Sequence, residues 1–232
     1  VALFEKAVAH ELAPLTIEKG GPIIMVQVEN EYGAYAADKP YVSAIRDTLR
    51  SVGFDKVTLF QCDWSSTFEA NGLDDMLWTM NFGTGANIDE QFRRLGEVRP
   101  DQPKMCSEFW SGWFDKWGSN HETRPAGQMV EGISQMLSRG ISFSLYMTHG
   151  GTSFGHWAGG NSPGLWPDVT SYDYDAPINE YGLATPKYYL LRDTLQHYAE
   201  TKLPAVPKAP MPIIAIPEVE LTEHVPLEAG IN

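Results

Sequence analysis

The chain has 232 residues, of which 43% are hydrophobic and 12% aromatic, enough to bury a core and incompatible with collagen-like, coiled-coil or fully disordered architectures. Its 17 Lys and Arg against 30 Asp and Glu give a formal charge of −13, a field that repels phosphate backbones and anionic lipid surfaces, so nucleic acid is excluded as a natural partner. The stock of flat rings suits sugar stacking as well as an ordinary large core.

In chain order, Leu3, Phe4, Val8 and Leu12 recur at helical spacing, and Gly20-Gly21-Pro22 closes that segment before the apolar run IIMVQV, a buried strand over 23–28. A helix from about Pro40 to Val52, capped by Gly53, leads into the strand VTLFQC at about 57–62. The pattern continues with strand MLWTMN (about 76–81), helix IDEQFRRLGEV (88–98), strand KMCSEF (104–109), helix AGQMVEGISQMLSR (126–139) and strand ISFSLYM (141–147). A long irregular stretch precedes the last helix, KYYLLRDTLQHYAETK (187–202). Residues 203–232 are dense in proline, which excludes helix and predicts a linker or the start of a β-domain.

Strands apolar on both faces, each followed by a helix or long loop, describe parallel βα units. No glycine-rich nucleotide motif follows any strand, so a closed (β/α) barrel is favoured over a doubly wound sheet. Five strands are present where a barrel needs eight. The expected fold is therefore α/β, the second half (strands 4 to 8) of a (β/α)8 TIM-type barrel occupying 1–202, with the first strands expected upstream of a chain that starts without Met. Cys62 and Cys106 lie in apolar strands and read as buried free thiols. The longest apolar runs, Ile23 to Val26 and Ile213 to Ile216, are far too short to cross a bilayer.

In a barrel the C-terminal ends of the strands carry the chemistry. Three such ends are rich in polar groups: Gln27-Val28-Glu29-Asn30-Glu31, Ser107-Glu108-Phe109-Trp110, and the glycine-rich turn from Tyr146 to Gly155. Two strand-end glutamates among aromatics supply what glycoside hydrolysis requires, one acid to protonate the leaving oxygen and one carboxylate to meet the oxocarbenium-like centre. Glu29 shares a period-two face with Glu31 and is its rival for the acid role, whereas strict alternation turns Asn30 away unless a bulge intervenes. His121, His149 and His156 make no metal-ligand spacing with any Cys or Glu pair.

The segments GGPIIMVQVENEYG, CSEFWSGWFDKWG, MTHGGTSFG and TSYDYDAPINEYG resemble the motifs of family 35 glycoside hydrolases. That resemblance implies a retaining, exo-acting β-galactosidase on a (β/α)8 barrel with β-domains behind it. It implies Glu31 as acid/base and Glu108 as nucleophile, on strands 4 and 7, and no metal or cofactor. It also implies sugar contacts from Asn30, Tyr146 beside the nucleophile, and Tyr174. Trp110 stands where the family pattern has Tyr, to stack on the sugar or narrow the pocket, and Thr148 and Ser153 depart from the expected Phe and Asn, which touches specificity more than reaction type. The implied partner is a β-galactoside oligosaccharide or glycoconjugate, in a secreted, periplasmic or lysosomal setting. A related exo-β-glycosidase such as a β-glucosaminidase, or a noncatalytic sugar-binding barrel, are the alternatives.

Overall fold

The computed structural model describes residues 1–161, 164, 166–208 and 214–230. Helix α1 (Ala2–Leu12) leads to strand β1 (Met25–Gln27), a single turn α2 (Tyr32–Tyr35) and helix α3 (Lys39–Leu49). Then follow β2 (Thr58–Asp63), β3 (Leu77–Gly83), α4 (Ile88–Val98), β4 (Met105–Trp110), α5 (Ala126–Ser138) and β5 (Ser142–Tyr146). A small hairpin of β6 (Gly160–Asn161) and β7 (Trp166–Pro167) precedes α6 (Pro186–Gln196).

Strands β1 to β5 form one sheet in sequence order, every pair parallel, curled as half of a barrel. Helices start where local chemistry directs them. Asp38 accepts the Tyr41 N–H ahead of α3, with Pro40 in its first turn, and Asn87 accepts the Glu90 N–H ahead of α4, whose first turn carries Asp89 and Glu90. Alternate strand residues face the helices. Trp78, Met80, Phe82, Cys106 and Phe109 pack with Phe92, Leu95, Met129, Ile133 and Met136, while Val28 and Leu59 pack with Val42, Ile45 and Leu49. The remaining strand positions, Gln27, Cys62, Thr79, Asn81 and Ser107, bond to one another instead and form a polar inner row.

The structure departs from the sequence reading in three places. The apolar residues Leu3, Phe4 and Leu12 of α1 are exposed, because the helix packs through Ala9, and Phe4, Val8 and Leu12 line a groove with Ile23 and Met25 beside the unpaired edge of β1. The last helix ends at Gln196 rather than near Lys202: the chain folds back, with Leu203 N–H donating to Gln196 Oε1 and Arg192 donating to Leu203 O. Strand β1 ends at Gln27, for a reason that shapes the site. Among the described residues, 203–208 and 214–226 hold no helix or strand, and a short 3-10 turn follows at Leu227–Gly230; 209–213 and 231–232, part of the proline-rich segment, lie outside the described residues.

Candidate active site

Beyond Gln27 the backbone abandons the pleat. Val28 N–H still bonds Phe60 O at 2.8 Å, but Glu29 and Glu31 take φ of 62° and 51°, the left-handed region that L-residues seldom occupy. This breaks the period-two relation expected between the two glutamates. The Glu29 carboxylate turns toward the helix layer, where Tyr41 OH donates to Oε2 at 2.6 Å and the Asn30 N–H reaches Oε1 at 3.2 Å. Glu31 turns the other way, to the inner face, where Asn81 Nδ2 of β3 donates to its Oε1 at 2.9 Å. Asn30 is exposed, and its Oδ1 accepts from Gln27 Nε2 at 2.9 Å and from the Cys62 thiol at 3.3 Å. Both cysteines are buried and free, and burial pushes the Cys62 thiol up to about 12.

Glu108 reaches the same mouth from within a strand. It lies opposite Asn81 in the β3–β4 register, just past an irregularity in that pairing between Met80 and Asn81, and β4 carries a second one against β5 between Cys106 and Phe109. Bulges of this kind re-aim side chains at barrel rims. The Glu108 carboxyl is raised by burial and further by the charge on Glu31, against which the Trp110 indole N–H donates to Oε2 at 3.0 Å and favours the ionised form. The partner of Glu108 is thus Trp110. The Tyr146 hydroxyl, expected beside the nucleophile, meets the Tyr172 hydroxyl at 3.2 Å.

The aromatic wall extends from there. Trp110 stands edge-on to Trp113 at 5.6 Å, and Tyr172 stacks on Tyr174 at 5.4 Å, while Tyr174 meets Tyr146 edge-on at 5.5 Å. Tyr174 is only 2% exposed, so it backs this wall, and burial raises both it and Tyr172. Two glycines admit the tyrosine segment: a Cβ at Gly150 would stand 1.6 Å from Tyr172 O, and one at Gly112 1.7 Å from Tyr174 O. Buried Lys187 then fastens it, donating to Ser111 O and Asp175 O at 2.8 Å each and to Asp175 Oδ2 at 2.5 Å.

Thr148 is exposed, its carbonyl accepting from Ile178 N, and Ser153 N bonds Thr170 O. His121 Nδ1 lies 2.6 Å from Asp115 Oδ2, and His149 Nε2 lies 3.3 Å from Glu180 O. Among the described residues no three His, Cys, Asp or Glu side chains converge as a metal site requires.

The profile of Glycosyl hydrolases family 35 matches residues 1–198. The chain belongs to this family. A beta-galactosidase of Xanthomonas manihotis is 42% identical over 226 residues, covering 95% of this chain and 38% of that protein. The beta-galactosidase of Homo sapiens is 41% identical over 205 residues, 87% of this chain and 29% of the relative. This family 35 chain therefore spans about a third of the length of the relatives it matches. In fold it is similar to a β-D-glucuronidase of Dictyoglomus thermophilum, with a TM-score of 0.53 at 12% identity over 84% of this chain and 35% of that one.

Asn81 and Tyr172 were not singled out from the sequence. The signal for Asn81 was present, a lone amide near the end of the apolar run LWTMNFG, whereas choosing Tyr172 beside Tyr174 needed the fold of their loop.

Proposed function

We propose that this family 35 chain carries the catalytic carboxylates of a retaining, exo-acting β-galactosidase that removes terminal non-reducing β-D-galactose. The observation that carries the reading is the convergence of Glu31, from beyond the end of β1, and Glu108, from within β4, on Asn81. In the first step a Glu108 oxygen attacks the anomeric carbon while the bond to the aglycone oxygen breaks, and Glu31 gives that oxygen its proton. In the second, Glu31 takes a proton from water as the water oxygen attacks the same carbon and releases Glu108. Two inversions return the β configuration. The Trp110 indole N–H favours the ionised, attacking form of Glu108 against the burial that raises its carboxyl. Asn30, Tyr146, Tyr174 and Trp110 bind or shape the sugar side, joined by Tyr172 through its hydroxyl contact with Tyr146.

Support for galactose as the sugar comes from relatives about 40% identical that are named beta-galactosidases. NMR of the first-formed product from an aryl β-galactoside is expected to show the β anomer; initial α anomer removes Glu108 as nucleophile. Glu108→Gln is expected to abolish turnover of every substrate. Glu31→Gln is expected to cost about 10²- to 10⁴-fold on substrates with poor leaving groups and far less on activated aryl galactosides. The same leaving-group dependence in Glu29→Gln, and not in Glu31→Gln, would transfer the acid role to Glu29.

A further inference from the structure

A chain of buried polar groups ends on Glu31 and has no part in the two-carboxylate scheme. Asn81 is 2% exposed, and its Nδ2 donates to Glu31 Oε1 at 2.9 Å. Its Oδ1 accepts from Ser107 Oγ at 2.6 Å, and Ser107 Oγ lies 2.6 Å from Thr79 Oγ1. Thr79 Oγ1 also donates to Gln61 O at 3.0 Å, so its single hydrogen is engaged there, and in the short contact with Ser107 either oxygen could donate. Ser107 donates to Asn81, and Asn81 donates to the carboxylate. Turning the amide over would set Oδ1 against a carboxylate oxygen, two acceptors face to face.

We infer that Asn81, held by Ser107 and Thr79, is a positioning residue that commits Oε1 of Glu31 as an acceptor, so that Oε2 is the oxygen that carries the proton to and from substrate. Among the described residues Oε2 has no hydrogen-bond partner, which leaves it free for that transfer. This rests on the acid/base role proposed for Glu31. The other groups around Glu31 supply no comparable hold. Glu108 on β4 and Asp63 at the end of β2 are like charges, Cys62 on β2 is a buried thiol, and Glu29 faces Tyr41. Asn81 is thus the side-chain donor to Glu31 among the described residues.

The test combines kinetics with a double-mutant cycle. Asn81→Leu is expected to lower kcat/KM on substrates with poor leaving groups by about ten- to a hundredfold, through kcat more than KM, and to spare activated aryl galactosides in the glycosylation step. In a Glu31→Gln background the same change is expected to add almost nothing, since its effect passes through Glu31. Should Asn81→Leu fail to fold, Asn81→Asp has the same shape and removes the donor to Oε1, and the same leaving-group-dependent loss through kcat is expected. Independently of turnover, the Asn81 side-chain amide signal in NMR, identified by its loss in Asn81→Leu, is expected to shift in Glu31→Gln. A loss equal on poor and activated leaving groups, or losses that multiply in the double variant, overturns the inference while leaving the role of Glu31 intact. Absence of leaving-group dependence in Glu31→Gln itself sinks the functional reading instead.

Discussion

The two candidate carboxylates stand at one mouth but on different kinds of backbone. Glu108 sits inside a six-residue strand, between fully buried Phe109 and a buried Ser107, so its place is set by packing on the helix side of the sheet. Glu31 sits past the end of a three-residue strand, in a segment with two left-handed residues and an exposed Asn30 between them. Its place is set by hydrogen bonds: Asn81 to its side chain, Cys62 O accepting its N–H at 3.1 Å, and Asp63 accepting the Gly33 N–H at 2.9 Å just beyond. One group is held by a core and the other by polar contacts, and the two should fail differently.

The largest difference is expected in stability. Phe109→Ala, which empties a core position with 0% exposure, should cost about 3–5 kcal/mol in denaturant unfolding and take Glu108 out of line. Asn30→Ala, which removes an exposed side chain that accepts from Gln27 and the Cys62 thiol, should cost about 0.5–1.5 kcal/mol. A comparable cost for both would mean that the Glu31 segment is packed rather than tethered.

A smaller effect is expected at Asp63, which tethers the Glu31 end. Burial raises its carboxyl to about 6, with the charge on Glu31 adding and the Gly33 N–H opposing. A carboxyl that binds its proton more tightly folded than unfolded contributes stability below the unfolded value, near pH 4, and loses it as pH rises through about 6. Between those limits the protein should lose at most roughly 3 kcal/mol from this group, and Asp63→Asn should flatten that part of the stability profile. A profile unchanged by the substitution would show that Asp63 is ionised throughout.

The smallest effect separates the partners of Glu108. Trp110→Phe keeps a ring and removes the indole N–H, so the Glu108 carboxyl should rise further and the acid limb of kcat/KM move to higher pH, lowering activity on that side by up to about tenfold. Tyr146→Phe, whose hydroxyl meets Tyr172, should leave that limb in place. If the Tyr146 change moves it and the Trp110 change does not, the phenol and not the indole holds the carboxylate.

Apolar periodicity alone gives the alternation of strands and helices from Ile23 to Ser138, and the strand ends it marks carry both Glu31 and Glu108. That works because a parallel strand buried on both faces and an amphipathic helix have different repeats, written into consecutive residues. The motifs that resemble family 35 lie at those same strand ends. The orientation of Glu29 against Glu31 was not legible, because alternation predicts one face and only the left-handed turns at both residues separate them.

The contacts of Thr79, Ser107 and Asn81 join two strands, the indole of Trp110 donates to Glu108, and Tyr172 meets Tyr146 across a loop that Gly112, Gly150 and Lys187 hold in place. The sequence by itself determined which residues bear charge, where strands and helices fall, and that two carboxylates stand at strand ends. Tertiary structure alone decided which oxygen meets which donor, because a hydrogen bond is fixed by distances between residues far apart in the chain, and register shifts of one residue in β3–β4 and β4–β5 are enough to change every partner.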